Sequence, residues 1–280
     1  MDGQQLGCAD GNSRSATPRT DRELTLLQVD KATLSFGSRK IWDELSFAVN
    51  RGEFIALIGA NGTGKSTLLK AIIGTQELDS GSIKLEQGAA LSYIPQHRTD
   101  DGFTPLKVKD LVRLGLDGHK PGLPWPSAEV REKVSASLAS VNAESLANES
   151  IGNLSGGEMQ RVRVAQAIIG DPDLILADEP LSNLDLNQQL QVSELFESQR
   201  QKTGAAVLFV THDVNPIIDY VDRVLYLAPG GYRIGSTEEV MQSDVLSELY
   251  GADIDVVRNQ GRIVVIGTHD HAHHAGEEWV

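Results

Sequence analysis

Residues 54–73 constrain this chain more than any other stretch. Phe54-Ile55-Ala56-Leu57-Ile58 is an apolar run of strand length. It leads into Gly59-Ala60-Asn61-Gly62-Thr63-Gly64-Lys65-Ser66, which fits G-x-x-x-x-G-K-[ST]. Leu68, Leu69, Ile72 and Ile73 follow at helical spacing. Glycines between a strand and a helix let backbone amides crowd round a polyphosphate, and the helix N-terminus adds a positive dipole end. Lys65 can neutralise β/γ-phosphates, and the Ser66 hydroxyl can ligate Mg²⁺, a cation that favours oxygen. The candidate nucleotide contacts in this stretch are Gly59, Asn61, Gly62, Gly64, Lys65, Ser66 and Thr67.

The remaining chain implies further strands and helices around that unit. Ala32 to Phe36 alternates as a half-buried strand does, Leu45 to Val49 reads as a second strand, and Gly37-Ser38 starts the turn between them. Gly81 to Glu86 and Ala90 to Ile94 read as a strand pair joined around Gly88, which predicts an antiparallel subdomain. Val130, Val134, Leu138 and Val141 form one apolar helical face after a loop at Pro121 to Pro126. Ser155 and Glu158 form an S-x-x-E capping box, so a helix starts after Ser155, and Gly170 and Pro172 stop it. Leu174 to Ala177 and Ala206 to Val210 are strands separated by a helix from about Asn187 to Lys202, the alternation of a parallel sheet. Asp255 to Arg258 and Arg262 to Ile266 flank Asn259-Gln260-Gly261 as a hairpin.

A second set of motifs identifies a family resemblance. Leu154-Ser155-Gly156-Gly157-Glu158-Met159-Gln160-Arg161 precedes Leu174-Ile175-Leu176-Ala177-Asp178-Glu179-Pro180. Leu181-Ser182-Asn183-Leu184-Asp185 follows at once, then Val210-Thr211-His212-Asp213. With Gln96 in Tyr93-Ile94-Pro95-Gln96, this order resembles the ATP-binding-cassette (ABC) ATPases from about Phe36 to His212. The implied fold is α/β, a P-loop NTPase (RecA-like) core with an antiparallel β subdomain and an α-helical subdomain at about 97–170. The expected organisation is a disordered leader at 1–22, an ATPase domain at 23–266 and a His-rich flexible tail at 267–280.

The resemblance also implies roles, with ATP and Mg²⁺ as the cofactors. Asp178 would hold Mg²⁺ with Ser66 and Gln96, and Glu179 would polarise the attacking water. His212 would bond the γ-phosphate and link it to Glu179. Gln96 would reach both the metal and a membrane partner. Phe36 aligns with the aromatic that stacks on adenine, often Tyr in the family; a core strand Phe is the competing reading. Ser155, Gly156 and Gly157 would contact ATP held by an opposite subunit, and Asp185 would touch that subunit. One chain would then be half of a homodimer that sandwiches two ATPs. Glu158 and Asn183 stand at motif positions that vary in the family.

Composition narrows the setting. Twenty-five basic against 39 acidic residues give −14, which argues against a nucleic-acid partner. Cys8 is the only cysteine, so no intrachain disulfide forms and a cytosolic setting fits. No apolar run approaches the ~20 residues that cross a bilayer. Met1 to Arg22 lacks a signal peptide's apolar centre. The implied protein is the ATPase of a transporter, peripheral on the cytoplasmic face of the cell membrane. Its partners would be permease subunits, docked near Gln96 to Leu114, and an extracytoplasmic substrate-binding protein. Val210 to Tyr226 and Ser247 to Ala252 resemble the ATPases of zinc and manganese importers. The alternatives are an iron-chelate importer ATPase and a soluble non-transport ABC ATPase. His269-Asp270-His271-Ala272-His273-His274 offers zinc-binding side chains or is simply a polar tail.

Overall fold

A computed structural model describes residues 25–96, 106–117 and 127–267. The expected leader, the Pro121 to Pro126 loop and the His-rich tail beyond Gly267 lie outside these residues, as does Phe103 of the expected docking stretch.

The core is a six-stranded sheet in the order β5-β6-β7-β3-β8-β9. Its strands are β3 (Phe54–Gly59), β5 (Leu91–Ile94), β6 (Leu174–Asp178), β7 (Ala206–Val210), β8 (Arg223–Ala228) and β9 (Gly231–Gly235). The first five in that order pair in parallel, and β9 pairs antiparallel with β8. Continuous apolar runs build this sheet because both its faces are covered. Phe54, Ala56 and Ile58 point into one hydrophobic cluster, while Ile55 and Leu57 point into the other.

The second cluster is closed by a three-stranded antiparallel sheet and a helix. The sheet has the order β2-β1-β4, from β1 (Thr25–Phe36), β2 (Arg39–Asn50) and β4 (Ser80–Leu85). The helix is α1 (Lys65–Ile73), which buries Leu68, Leu69 and Ile72. The first cluster is covered by α2 (Val108–Asp117), α3 (Ala128–Ser140), α4 (Gly156–Ile168) and α5 (Leu186–Thr203). Val134, Leu138 and Val141 are buried there, and Val130 is half-buried. Helices α2 and α4 meet at Gly115, where a Cβ would lie only 2.1 Å from the Gln166 carbonyl oxygen. Short helices α6 (Thr237–Val240) and α7 (Ser243–Tyr250) precede the hairpin β10 (Ile254–Asn259) and β11 (Arg262–Gly267), whose turn is Gln260-Gly261.

One expectation needs correction. Gly81 to Glu86 and Ala90 to Ile94 are both strands, but they do not pair with each other. The first, β4, pairs with β1, and the second, β5, joins β6 in the core sheet. Residue Asp173 decides this. Its amide and that of Leu174 donate to Ala90 O at 2.8 and 3.1 Å, and its carboxylate accepts from Ala90 N at 2.8 Å. Arg51 clamps the same carboxylate at 2.6 Å. The Arg51 bond, then the Ala90 bond, hold that carboxyl below the usual carboxylate range. Two short strands joined by a glycine turn look alike in sequence whether they pair or separate.

Candidate active site

Strand order brings the candidate residues to one edge. In the series β5-β6-β7-β3, Gln96 lies just beyond β5, Asp178 ends β6 and Glu179 follows it, His212 lies just beyond β7, and the glycine loop follows β3. Parallel strands place all four carboxyl ends together, the usual crevice for ligands in such sheets.

The loop is shaped by contacts that only glycine permits. Gly59 has φ 147, and a Cβ there would lie 2.1 Å from Leu227 O. Lys65 is buried and donates to Gly59 O at 2.7 Å and Ala60 O at 2.9 Å. Burial pulls its pKa down, and the nearby Glu179 and Asp178 charges oppose that. Asn61 and Gly62 are exposed, and Thr67 lies half-buried in the first turn of α1. The amides of that turn have no intrahelical partner, so they are available to an anion.

Asp178 is 2% exposed. Its carboxylate accepts from Ser66 Oγ at 3.0 Å and from Tyr93 OH at 3.5 Å. Burial first, with the neighbouring Glu179 charge, raises its pKa against the lowering by these bonds and Lys65. A buried carboxylate beside the Ser66 alcohol oxygen is a pair of oxygen donors that suits Mg²⁺. Replacing Asp178 with Asn tests this. Hydrolysis should fall if the carboxylate is a metal ligand, because the charge that would hold Mg²⁺ is removed. The melting temperature of the nucleotide-free chain should rise, because the buried charge is gone. The Asn oxygen can keep the Ser66 bond, the long Tyr93 contact changes type, and the attraction to Lys65 that is lost is smaller than the burial cost that is relieved. A fall in melting temperature, measured by calorimetry without Mg²⁺, would contradict the electrostatic argument.

Glu179 is held in an unusual backbone conformation, φ 51. A left-handed non-glycine residue costs roughly 1–3 kcal/mol and persists only where the surroundings impose it. Here its amide donates to Val210 O at 3.1 Å, and its carboxylate accepts from Gln96 Nε2 at 2.9 Å. The peptide is thus turned so that the carboxylate faces the residue that follows β5. His212 is exposed at the same edge, two residues beyond Val210, the partner of Asp178 in the β6–β7 register.

Phe36 ends β1 and is 51% exposed, so core packing is not its role. Ser155 and Gly157 sit at the start of α4. The capping box is formed: Glu158 accepts from Ser155 N and Oγ, both at 2.8 Å. Those bonds, the backbone one first, hold the Glu158 carboxyl below its usual range. Gly157 packs on its own chain's 183–188 turn, where a Cβ would meet Gln188 Oε1 at 3.3 Å and Leu184 Cδ2 at 3.4 Å. Asp185 caps α5 by accepting from Gln188 N at 2.8 Å. Sequence reasoning missed the contact of Tyr93 with Asp178. Tyr93 carries a signal in hindsight, since it alternates onto the same strand that delivers Gln96.

The glycine loop, the capped α4 and the carboxylates at the end of β6 all fall within residues 42–182, and that stretch matches the ABC transporter family. The chain belongs to this family. It is similar to the zinc import ATP-binding protein ZnuC of Yersinia enterocolitica, 36% identical over 72% of this chain and 76% of that protein. ZnuC of Pseudomonas fluorescens is 32% identical over 89% of both chains. An uncharacterized ABC transporter ATP-binding protein of Methanocaldococcus jannaschii is 34% identical over 87% of this chain and 98% of that one. Among solved structures, an inward-facing ABC transporter assigned to the metal-chelate type superposes with TM-score 0.75 at 26% identity, covering 88% of this chain and 98% of that one. Members of the family bind ATP and work with transmembrane permease components, and this chain is an ATPase coupled to transport. Among the described residues no helix is long and apolar enough to cross a membrane.

Proposed function

We propose that this chain is the ATP-hydrolysing subunit of a metal-ion importer whose cargo is zinc or manganese, zinc being the better supported. The observation that carries the proposal is the recurrence of zinc import ATP-binding proteins among relatives at 29–36% identity over most of the chain. The ATPase domain is assigned to 23–266, between a leader and a tail.

The geometry supports a division of labour. The loop amides and Lys65 bind the β/γ-phosphates, Phe36 stacks on adenine, and Thr67 adds a first-turn amide. Ser66, Asp178 and Gln96 would hold Mg²⁺, which would supply positive charge beside the transferring phosphoryl group. To receive them, Lys65 exchanges the Gly59 and Ala60 carbonyls for phosphate oxygens. Glu179 exchanges its bond from Gln96 for the attacking water, whose proton it draws. His212 orients the γ-phosphate. Ser155 and Gly157 act on the nucleotide of a second copy, so the working unit is a homodimer. It would sit on permease subunits at the cytoplasmic face of the membrane, fed by an extracytoplasmic binding protein. The 0.75 TM-score match to a transporter of metal-chelate type favours a chelated metal as the second reading.

Deleting the gene and measuring growth under separate depletion of zinc, manganese and iron distinguishes these cargoes. Failure under zinc depletion, rescued by the wild-type chain and not by Glu179→Gln, is the expected result. A defect confined to iron depletion would replace zinc with the chelate reading.

A further inference from the structure

The glycine loop is gripped on two sides. Within the loop, Lys65 binds Gly59 O and Ala60 O, and Thr63 Oγ1 adds a bond to Ala60 O at 2.9 Å. From the β1–β2 hairpin come two further donors. Arg39 Nη2 reaches Gly62 O at 3.1 Å, and Trp42 Nε1 reaches Thr63 O at 3.3 Å. Neither residue belongs to the G-x-x-x-x-G-K-[ST] pattern, and the reaction scheme above uses neither.

These two bonds have a consequence for the neighbouring amides. No peptide here is cis, so each N–H points opposite to the carbonyl of its own peptide unit. Turning Gly62 O toward Arg39 aims the Thr63 amide away from the hairpin. Turning Thr63 O toward Trp42 does the same to the Gly64 amide. Both amides then join the unpaired first turn of α1 as a set of donors for one anion.

The hairpin also has no slack against the loop. A Cβ at Gly64 would lie 2.4 Å from Ile41 Cγ2 and 2.4 Å from Trp42 Nε1. Trp42 is 5% exposed, so its bond is shielded from water. The same hairpin carries Phe36, which pairs with Arg39 across the turn. One hairpin therefore touches the phosphate loop and presents the exposed aromatic ring.

We propose that Arg39 and Trp42 are positioning residues for the nucleotide. They lock the Gly62 and Thr63 peptide planes in the anion-binding orientation and fix the spacing between Phe36 and the phosphate loop. The inference rests on the ATP-binding role of the loop.

The test uses the full-length chain with Arg39→Ala, Arg39→Lys and Trp42→Phe, the last of which keeps an aromatic ring and deletes the N–H. Losing one such bond should raise KM for ATP, and Kd for ADP by calorimetric titration, about fivefold, the equivalent of about 1 kcal/mol. In Arg39→Ala the kcat and the melting temperature should stay near wild type, and Arg39→Lys should recover most of the affinity; Trp42→Phe truncates a buried side chain and should lower the melting temperature as well. Should Trp42→Phe fail to fold, the exposed Arg39 variants still decide. Unchanged KM and Kd in Arg39→Ala would overturn the proposal. So would a joint fall in kcat and melting temperature at constant KM, which would leave the pair as supports of the fold. Failure of the underlying role looks different: the wild type would bind ADP no better than Lys65→Ala.

Discussion

Glu179→Gln should bind ATP as tightly as the wild type and fail to turn it over. The amide keeps the shape of the carboxylate, and its oxygen can still accept the 2.9 Å bond from Gln96. The φ of 51 is imposed by the Val210 bond and the strand end, so the backbone need not move. What disappears is the negative charge that draws the proton from water. Removing a general base costs ~10²–10⁴-fold in rate. Phosphate release at saturating ATP, beside ADP titration on the same sample, measures both halves. Near-normal turnover would remove Glu179 from the chemistry. Normal chemistry with lost binding would instead make the Gln96–Glu179 contact a structural clasp.

The second large effect appears only in mixtures. Lys65→Ala and Ser155→Arg should each be inactive alone, and activity should return when the two chains are combined. Ser155 spends its hydrogen bonds on its own Glu158, and Gly157 packs on the 183–188 turn of its own chain. In the proposed homodimer the start of α4 meets the nucleotide held by the second copy, so the two substitutions fall on different chains of one site. A mixed dimer holds one composite site with both Lys65 and Ser155 intact. Recovery of a sizeable fraction of the wild-type rate is expected in coupled phosphate assays with the permease present. Silence in the mixture, with both chains folded and dimeric, would count against action in trans.

Much of this arrangement is legible in sequence, for a physical reason that differs by element. Gly59 to Ser66 is readable because its geometry is local: strand, turn and helix are contiguous. The box at Ser155 and Glu158 is readable because both partners lie within four residues, and the structure forms it as expected. The apolar runs 174–177 and 206–210 are readable because burial on both faces leaves no polar alternation. The partition of β4 and β5 is not readable, because bonds from Asp173, 83 positions away from Ala90, decide it. The left-handed Glu179 is hidden too, since a glutamate has no preference for that conformation and tertiary bonds override it. Arg39 and Trp42 leave no local trace. Their partners lie 23 and 21 residues on, and only the folded hairpin brings them to the loop.

The most direct test of the account couples the two ends of the system. The chain is reconstituted with its permease in liposomes, and phosphate release is measured as the external binding protein is added empty or zinc-loaded. The account predicts Mg²⁺-dependent hydrolysis that rises severalfold with the zinc-loaded form, and no response from Glu179→Gln. Hydrolysis by the wild type that ignores the loaded binding protein, or that persists in Glu179→Gln, would contradict it.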